Sequence, residues 1–131
     1  MKSVIVQRVL RAVSGLVGAV MVVGLLLSPA YSADMTWQMK SNYRYTVDVK
    51  FFSKNRKWSW PGPNRVWTLK DSRVTRLTIN CRRGEKICYG AWSRGNPNAA
   101  YWGVGQYGDS GCRSCCYTCG NVTIPIRNLN P

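Results

Sequence analysis

Two segments of the chain alternate strictly between hydrophobic and polar residues, which is the period of a β-strand with one buried face. In residues 45–51 the hydrophobic positions on one face are Val47, Val49 and Phe51. In residues 74–81 the corresponding positions are Leu77, Ile79 and Cys81. Each segment therefore predicts a half-buried strand, with its polar residues directed to solvent.

Further short strands are predicted at residues 65–69, 87–92, 101–105 and 122–127. Turn-forming residues separate them, such as the Pro-Gly-Pro sequence at 61–63. Pro125 cannot donate a backbone hydrogen bond, so the last strand is expected at a sheet edge or with a bulge. Residues 34–42 show no clear period and are interpreted as an irregular leader. Because no segment after residue 33 has helical periodicity, we predict an all-β fold: a small disulfide-stapled β-sandwich or barrel of five to six short strands.

The N-terminus resembles a secretory signal peptide. Three basic residues precede a run of twelve apolar or small residues at 16–27, and the small residues that follow fit cleavage after Ser32, with cleavage after Ala30 or Ala33 as alternatives. The alternative is a retained membrane anchor, although the run is shorter than the ~20 residues that a spanning helix needs. We predict a signal-peptide helix in residues 1–33, one cysteine-rich β domain in residues 34–131, and a secreted or periplasmic location.

Six cysteines in a small exported domain indicate disulfides, which supplement a limited core. If Gly84 and Glu85 form a two-residue hairpin turn, Cys81 faces Cys88 at a separation that a disulfide tolerates. The preferred pairing is therefore Cys81–Cys88, with the cluster closing on itself through Cys112, Cys115, Cys116 and Cys119. The alternative ties Cys81 and Cys88 separately into that cluster.

Two other roles for the clustered cysteines carry less weight. Four thiolates could bind one Zn²⁺, but the adjacent side chains of Cys115 and Cys116 diverge. A redox role for a Cys-x2-Cys unit needs a thiol of lowered pKa, usually at the start of a helix, and no helix is predicted there. Structural disulfides are the predicted chemistry of all six cysteines, and neither a metal site nor a small-molecule cofactor is expected.

A longer pattern links the two cysteine regions. Residues 84–92 read Gly-Glu-Lys-Ile-Cys-Tyr-Gly-Ala-Trp, residues 102–105 read Trp-Gly-Val-Gly, and the Cys-x2-Cys-Cys-x2-Cys run follows. This pattern, within about residues 58–119, resembles one found in small exported bacterial proteins of unassigned function. The resemblance implies a compact exported domain and no particular activity.

The chain carries 19 Lys and Arg against five Asp and Glu, a net charge of +14. Removal of the predicted signal peptide, which contains three of the basic residues, would leave a net charge of +11. Such a surface attracts phosphates, sulfates, carboxylates and anionic lipid head groups. The predicted anion-binding residues are Lys54, Arg56, Lys57, Arg65, Arg82, Arg83 and Lys86. Trp58 and Trp60 lie beside two of them and could stack bases or sugar rings.

These features predict a binding module for an anionic partner, which could be a polysaccharide, a nucleic acid or a membrane surface. The alternative is a secreted structural or protein-interaction module, such as an effector, toxin or inhibitor, that docks through the aromatic run at residues 89–107. We prefer to interpret Trp92, Tyr101 and Trp102 in that run as core residues rather than as an exposed platform for a ligand. Catalysis is not expected, because the chain has no histidine and only five carboxylates.

Overall fold

The structure of the protein is a computed structural model that describes residues 31–131. These residues form ten β-strands and no α-helix, which confirms the all-β class, although five to six strands were predicted. No helix in this part of the chain is long and apolar enough to cross a membrane. Apart from residues 31–33, the predicted signal-peptide helix lies outside the described residues. The strands are β1 (Ser32–Ser41), β2 (Val47–Ser53), β3 (Ser59–Trp60), β4 (Trp67–Leu69), β5 (Thr75–Arg82), β6 (Lys86–Ser93), β7 (Tyr101–Gly103), β8 (Cys116–Thr118), β9 (Val122–Thr123) and β10 (Arg127–Leu129).

β1 is the longest of these strands and corrects the prediction of an irregular segment at residues 34–42. Hydrophobic and polar side chains alternate along it, and the buried hydrophobic positions are Ala33, Met35, Trp37 and Met39. This is the pattern of a strand with one buried face. Because β1 begins at Ser32, it includes two residues that the sequence analysis assigns to the signal peptide.

The strands form two sheets, here called sheet A and sheet B. In sheet A, β1 pairs antiparallel with β5, with Met35 opposite Ile79, and its other edge pairs in parallel with β9 and β10. In sheet B, β2 pairs antiparallel with β6, with Val49 opposite Ala91. β3 and β4 pair with the free edge of β2, and β7 and β8 pair with the free edge of β6.

The main core lies between the two sheets and is centred on Trp37. The Trp37 ring stacks on Phe51 at a centroid distance of 4.8 Å and meets Tyr117 edge-on at 5.4 Å. Residues of β1 and β5 share one buried cluster with residues of β2 and β6, so the architecture is a β-sandwich. The buried indole N–H of Trp37 has no hydrogen-bond partner in the described residues, so packing alone holds this ring.

The hairpin predicted between residues 81 and 88 is not formed. β5 belongs to sheet A and β6 to sheet B, so the chain crosses between the sheets at residues 82–85. The Glu85 N–H donates to the Arg82 carbonyl oxygen at 2.9 Å, and Gly84, third in this turn, has a φ of 87°. A positive φ at that position fits a type II turn, which does not match the twist of paired strands and splays them apart.

The crossing overturns the preferred disulfide pairing, because Cys81 and Cys88 lie in different sheets. The bonds are Cys81–Cys119, Cys88–Cys116 and Cys112–Cys115, so the alternative in which the two upstream cysteines join the cluster separately is confirmed. The Cys81–Cys119 bond lies in the main core and joins sheet A to the segment after β8. All six cysteines predicted to form disulfides do so.

A second, smaller core covers part of the outer face of sheet B. There Val104 and Cys115 pack against Cys88, with Phe52 at the edge of the cluster. The loop after β7 comes so close to β6 that a Cβ atom at Gly90 would lie 2.0 Å from the Gly105 carbonyl oxygen. Any larger residue at position 90 would push this loop off the sheet.

β2 is therefore buried on both faces rather than on one. Its polar positions Asp48 and Lys50, expected in solvent, are 7% and 9% exposed. The prediction of a half-buried strand at residues 45–51 is correct for Val47, Val49 and Phe51 and wrong for the opposite face, because loops cover that face.

The C-terminal strand predicted at residues 122–127 is divided into β9 and β10, on either side of Pro125. Both short strands pair with β1 at the edge of sheet A, as expected for a proline-containing segment. Ile124, between them, is buried and joins the main core, whereas Ile126 is exposed.

Candidate functional site

A groove lies on the outer face of sheet B, beside the second core. It consists of two adjacent depressions of ≈ 400 and ≈ 260 Å³, which share Pro63 and Tyr107 in their walls. The larger one, here called the ring slot, is lined by Phe52, Lys57 and Trp58. The smaller one, here called the lysine pocket, is lined by Lys50, Arg65, Trp92 and Gln106.

One wall of the ring slot is the loop between β2 and β3. The Ser53 N–H donates to the Trp58 carbonyl oxygen at 3.0 Å, which closes the loop. Inside it, the Ser53 hydroxyl accepts the N–H groups of Asn55 and Arg56 at 3.2 and 3.3 Å, as polar turn residues commonly do. The closed loop leaves Lys57 and Trp58 exposed beside the slot.

The opposite wall is the loop that follows β7. Gly108 packs directly on Phe52, where a Cβ atom would lie 2.6 Å from the ring, so only glycine fits. The Lys54 ammonium, directly after β2, donates to the Gly108 carbonyl oxygen at 3.0 Å and holds the two loops together. Tyr107 is consequently held at the rim with 77% of its surface exposed.

Arg56 is held by a buried acid. Its guanidinium donates to both carboxylate oxygens of Glu85, at 2.6 and 3.2 Å. Burial alone would raise the pKa of Glu85, but hydrogen bonds from Arg56, the Ser53 hydroxyl and the Arg82 N–H outweigh it and lower the pKa to about 2. The same hydrogen bond to Glu85 raises the pKa of Arg56. The Arg56 charge is thus largely neutralised within the fold. We therefore infer that Arg56 positions the loop between β2 and β3 against Glu85 rather than binding a ligand itself.

Arg82 and Arg83 line a third depression of ≈ 330 Å³ together with Arg56, which also lines the ring slot. The Lys54 N–H donates to the Lys86 carbonyl oxygen at 2.9 Å, which brings these lysines together. The fold therefore gathers six of the seven predicted anion-binding residues around the turn at Glu85. We call this set the basic end; it comprises Lys54, Arg56, Lys57, Arg82, Arg83 and Lys86. The seventh, Arg65, lies at the lysine pocket.

The two tryptophans predicted to stack a ligand occupy different environments. Trp58 is 47% exposed and forms part of the ring slot. Trp60 is 8% exposed, belongs to the main core, and donates its indole N–H to the Asn80 carbonyl oxygen at 2.9 Å. Because its ring faces the interior, the prediction that Trp60 stacks a ligand is wrong, and the exposed rings at the slot are those of Trp58 and Tyr107.

Sequence reasoning missed three residues of the groove, namely Lys50, Phe52 and Tyr107. Lys50 falls on the predicted solvent face of its strand, yet loops cover it, and its ammonium donates to the Pro63 carbonyl oxygen at 2.6 Å. Burial lowers its pKa below the usual range. No local signal in the sequence marks Lys50, because a lysine between Val49 and Phe51 fits the solvent face of an alternating strand, and the loop at residues 61–63 meets it only in the fold.

The acidic residues contribute little to the groove. Asp48 is bonded to Arg94 and Thr68, and Asp71 to Arg73, so each already has a cationic partner. Within residues 31–131 no group of three or more Cys, Asp or Glu side chains is placed to hold a metal ion. No family model, curated protein or solved structure matches this chain.

Proposed function

We propose that the domain is an exported, non-catalytic binding module whose ligand is an anionic polymer. The observation that carries the proposal is the joining of an aromatic groove to a cluster of cations. Trp58 and Tyr107 expose their rings at the ring slot, and the basic end begins at the same slot with Lys57. Stacking rings beside a positive surface suit a chain of ring-bearing units that carries regular negative charge.

The overall charge supports this proposal. Among the described residues 16 bases face five acids, and three of the acids form ion pairs. The surface that remains is strongly positive, and its self-repulsion opposes folding unless a polyanion neutralises it. Apart from Arg56, none of the basic-end residues lies within ion-pairing distance of an acid in this part of the chain.

The proposed location is the periplasm or the outside of the cell. Three disulfides are typical of a domain folded in an oxidising compartment. Within the predicted signal peptide we favour cleavage after Ala30, because the Tyr31 carbonyl oxygen accepts the Arg83 N–H at 2.8 Å, and Ser32 and Ala33 pair with β5. Cleavage there leaves β1 whole.

A protein-interaction role through the aromatic run at residues 89–107 is the second candidate. Of its large rings, Trp92 is buried and Trp102 is partly buried, with its indole N–H bonded to the Asn130 carbonyl oxygen at 2.6 Å. Tyr101 and Tyr107 are exposed. These two tyrosines could contact a protein, but Tyr107 already lines the groove, so Tyr101 is the one exposed ring of this run outside it in the described residues.

The test is retention on a sulfated-polysaccharide resin in a salt gradient. The Lys57→Ala/Arg65→Ala/Arg83→Ala variant should elute at clearly lower salt than the wild type, because it removes cations from the groove and the basic end. The matched control, Lys40→Ala/Arg44→Ala/Lys70→Ala, loses the same charge at the opposite end of the sandwich and should elute close to the wild type. Equal shifts for both variants would show that retention reports net charge alone. Weak, salt-insensitive retention of the wild type would contradict the proposal.

A further inference from the structure

Lys50 differs from the other buried charged residues of the described chain. Asp48 is paired with Arg94 at 3.3 Å and Glu85 with Arg56 at 2.6 Å. Lys50 is equally buried, at 9% exposure, yet no carboxylate lies within 4.0 Å of its ammonium. Its ammonium has the Pro63 carbonyl oxygen and, at 6.0 Å, the face of the Phe52 ring, but neither carries a negative charge, and a buried cation without an anionic partner is costly.

The ammonium of Lys50 is directed into the lysine pocket with donors to spare. An ammonium carries three N–H groups, and the Pro63 carbonyl oxygen takes one of them. Burial lowers the pKa of Lys50, which is the expected effect when a cation loses water and gains no anion. An oxyanion entering the pocket would supply the missing partner.

The other residues of the pocket fit a particular kind of ligand. Arg65 is exposed at the pocket and presents a second cation, able to bind two oxygens side by side. Asn64 and Gln106 add carboxamides, which donate and accept hydrogen bonds as sugar hydroxyls do. Trp92 and Tyr107 contribute ring surface.

The size of the lysine pocket bears on how the anionic group is attached to its polymer. The pocket holds ≈ 260 Å³, so a carboxylate or sulfate projecting from a ring could enter it. A phosphodiester is part of the polymer backbone and would have to bring both flanking sugars with it. A pendant oxyanion therefore suits the pocket better than the backbone phosphate of a nucleic acid.

We infer that the lysine pocket is a subsite for a pendant carboxylate or sulfate on a sugar ring of an acidic polysaccharide. Lys50 is the buried contact and Arg65 the exposed one, while the adjacent ring slot holds a neighbouring sugar. This inference rests on the proposed function and specifies its ligand class.

Titration calorimetry with an oligogalacturonate tests the subsite. The Lys50→Met variant keeps side-chain length and should bind at least about 30-fold more weakly, because the buried charged contact is lost. The control Lys70→Met removes the same charge from an exposed turn and should change affinity by less than about twofold. Without ligand, Lys50→Met should unfold at the wild-type temperature or higher, since it removes an unpaired buried cation.

The other possible outcomes distinguish a failure of the subsite inference from a failure of the proposed function. Unchanged affinity in Lys50→Met, or a lower unfolding temperature without ligand, would make Lys50 a structural residue and overturn the inference alone. Binding of a single-stranded oligonucleotide or of anionic phospholipid vesicles with equal sensitivity to Lys50→Met would overturn the polysaccharide assignment. Failure of the wild type to bind any of these polyanions would overturn the proposed function as well.

Discussion

The outer faces of the two sheets differ in how their polar groups are satisfied. On sheet A the exposed side chains pair across β1 and β5: Asn80 donates to Asp34, Thr36 bonds to Thr78, and Arg76 donates to Gln38. On sheet B, Asp48 is satisfied in a similar way by Thr68 and Arg94, but the loops that cover this face leave Lys50 buried without an acid, beside the exposed ring of Tyr107.

This difference supports the proposal that sheet A is a scaffold and that the outer face of sheet B is the binding surface. Side chains that satisfy one another across two strands stabilise a sheet and leave few groups for a ligand. An unpaired buried cation and an exposed ring both cost stability, and such costs are typical of sites where a partner completes the interactions. The predictions below test that contrast, beginning with the largest expected effect.

The largest effect is expected from the Cys81–Cys119 disulfide, which joins sheet A to the segment after β8. Replacing both Cys81 and Cys119 with alanine should lower the free energy of unfolding by about 3 kcal/mol, because the bond closes a longer loop and lies in the core. Replacing Cys112 and Cys115, only three residues apart and on the outer side of sheet B, should cost about 1.5 kcal/mol. Urea unfolding of both variants would measure the difference. Equal losses would show that the Cys81–Cys119 disulfide is not the main covalent constraint.

The next largest loss of stability is expected from replacing Glu85, the buried acid that binds Arg56 at the basic end. Glu85→Gln should lower the free energy of unfolding by about 2–3 kcal/mol, since it leaves Arg56 without its anion. Asp34→Asn, on the exposed face of sheet A, is the control and should unfold close to the wild type. Chemical denaturation at neutral pH compares the two. A comparable loss in both variants would contradict a special role for Glu85.

The pH dependence of the free energy of unfolding should reflect the protonation of Glu85. The pKa of Glu85 falls from an ordinary value of 4.5 to about 2 in the fold, so its contribution is fully present above about pH 4.5. As the pH falls towards 2 the carboxylate becomes protonated in the folded state too, and that contribution is lost. Thermal unfolding between pH 6 and about pH 2 should show a steeper decline for the wild type than for Glu85→Gln. Parallel curves would contradict this assignment.

The smallest effect is expected on sheet A. Replacing Thr36 and Thr78 together with valine removes both partners of one exposed hydrogen bond and keeps the side-chain shape. Stability should change by less than about 1 kcal/mol, and retention on the sulfated-polysaccharide resin should not change. Loss of retention would move the binding surface to sheet A and reverse the comparison.

The sequence predicts strands well where one face is clearly hydrophobic. β5 and β6 were predicted nearly to their ends, and the buried positions Leu77, Ile79 and Cys81 follow from alternation alone. β1 carries equally regular alternation over residues 33–40, nearly all of it after the expected cleavage region, so alternation alone would have predicted this strand. The disulfide pairing depends on one turn: Gly84 adopts a positive φ at the third position, and the two strands separate.

The candidate site was only partly visible in the sequence for a different reason. Lys57, Arg65 and Trp58 can be identified from the sequence, because basic and aromatic residues next to a predicted loop are neighbours along the chain. Lys50 and Tyr107 become site residues only when two loops fold over the outer face of sheet B. Which loop covers which face is a property of tertiary packing, and alternation along one strand cannot report it.

The most direct test of the binding surface is a nuclear magnetic resonance titration of the isotope-labelled protein with oligogalacturonate. We predict shift changes at the Trp58 indole, at the backbone amides of the non-proline residues within 53–65 and 106–108, and at the Lys50 side chain, with few changes at Thr36, Gln38 and Thr78. Changes centred on those sheet A residues, or spread evenly over the surface, would contradict a binding groove on sheet B.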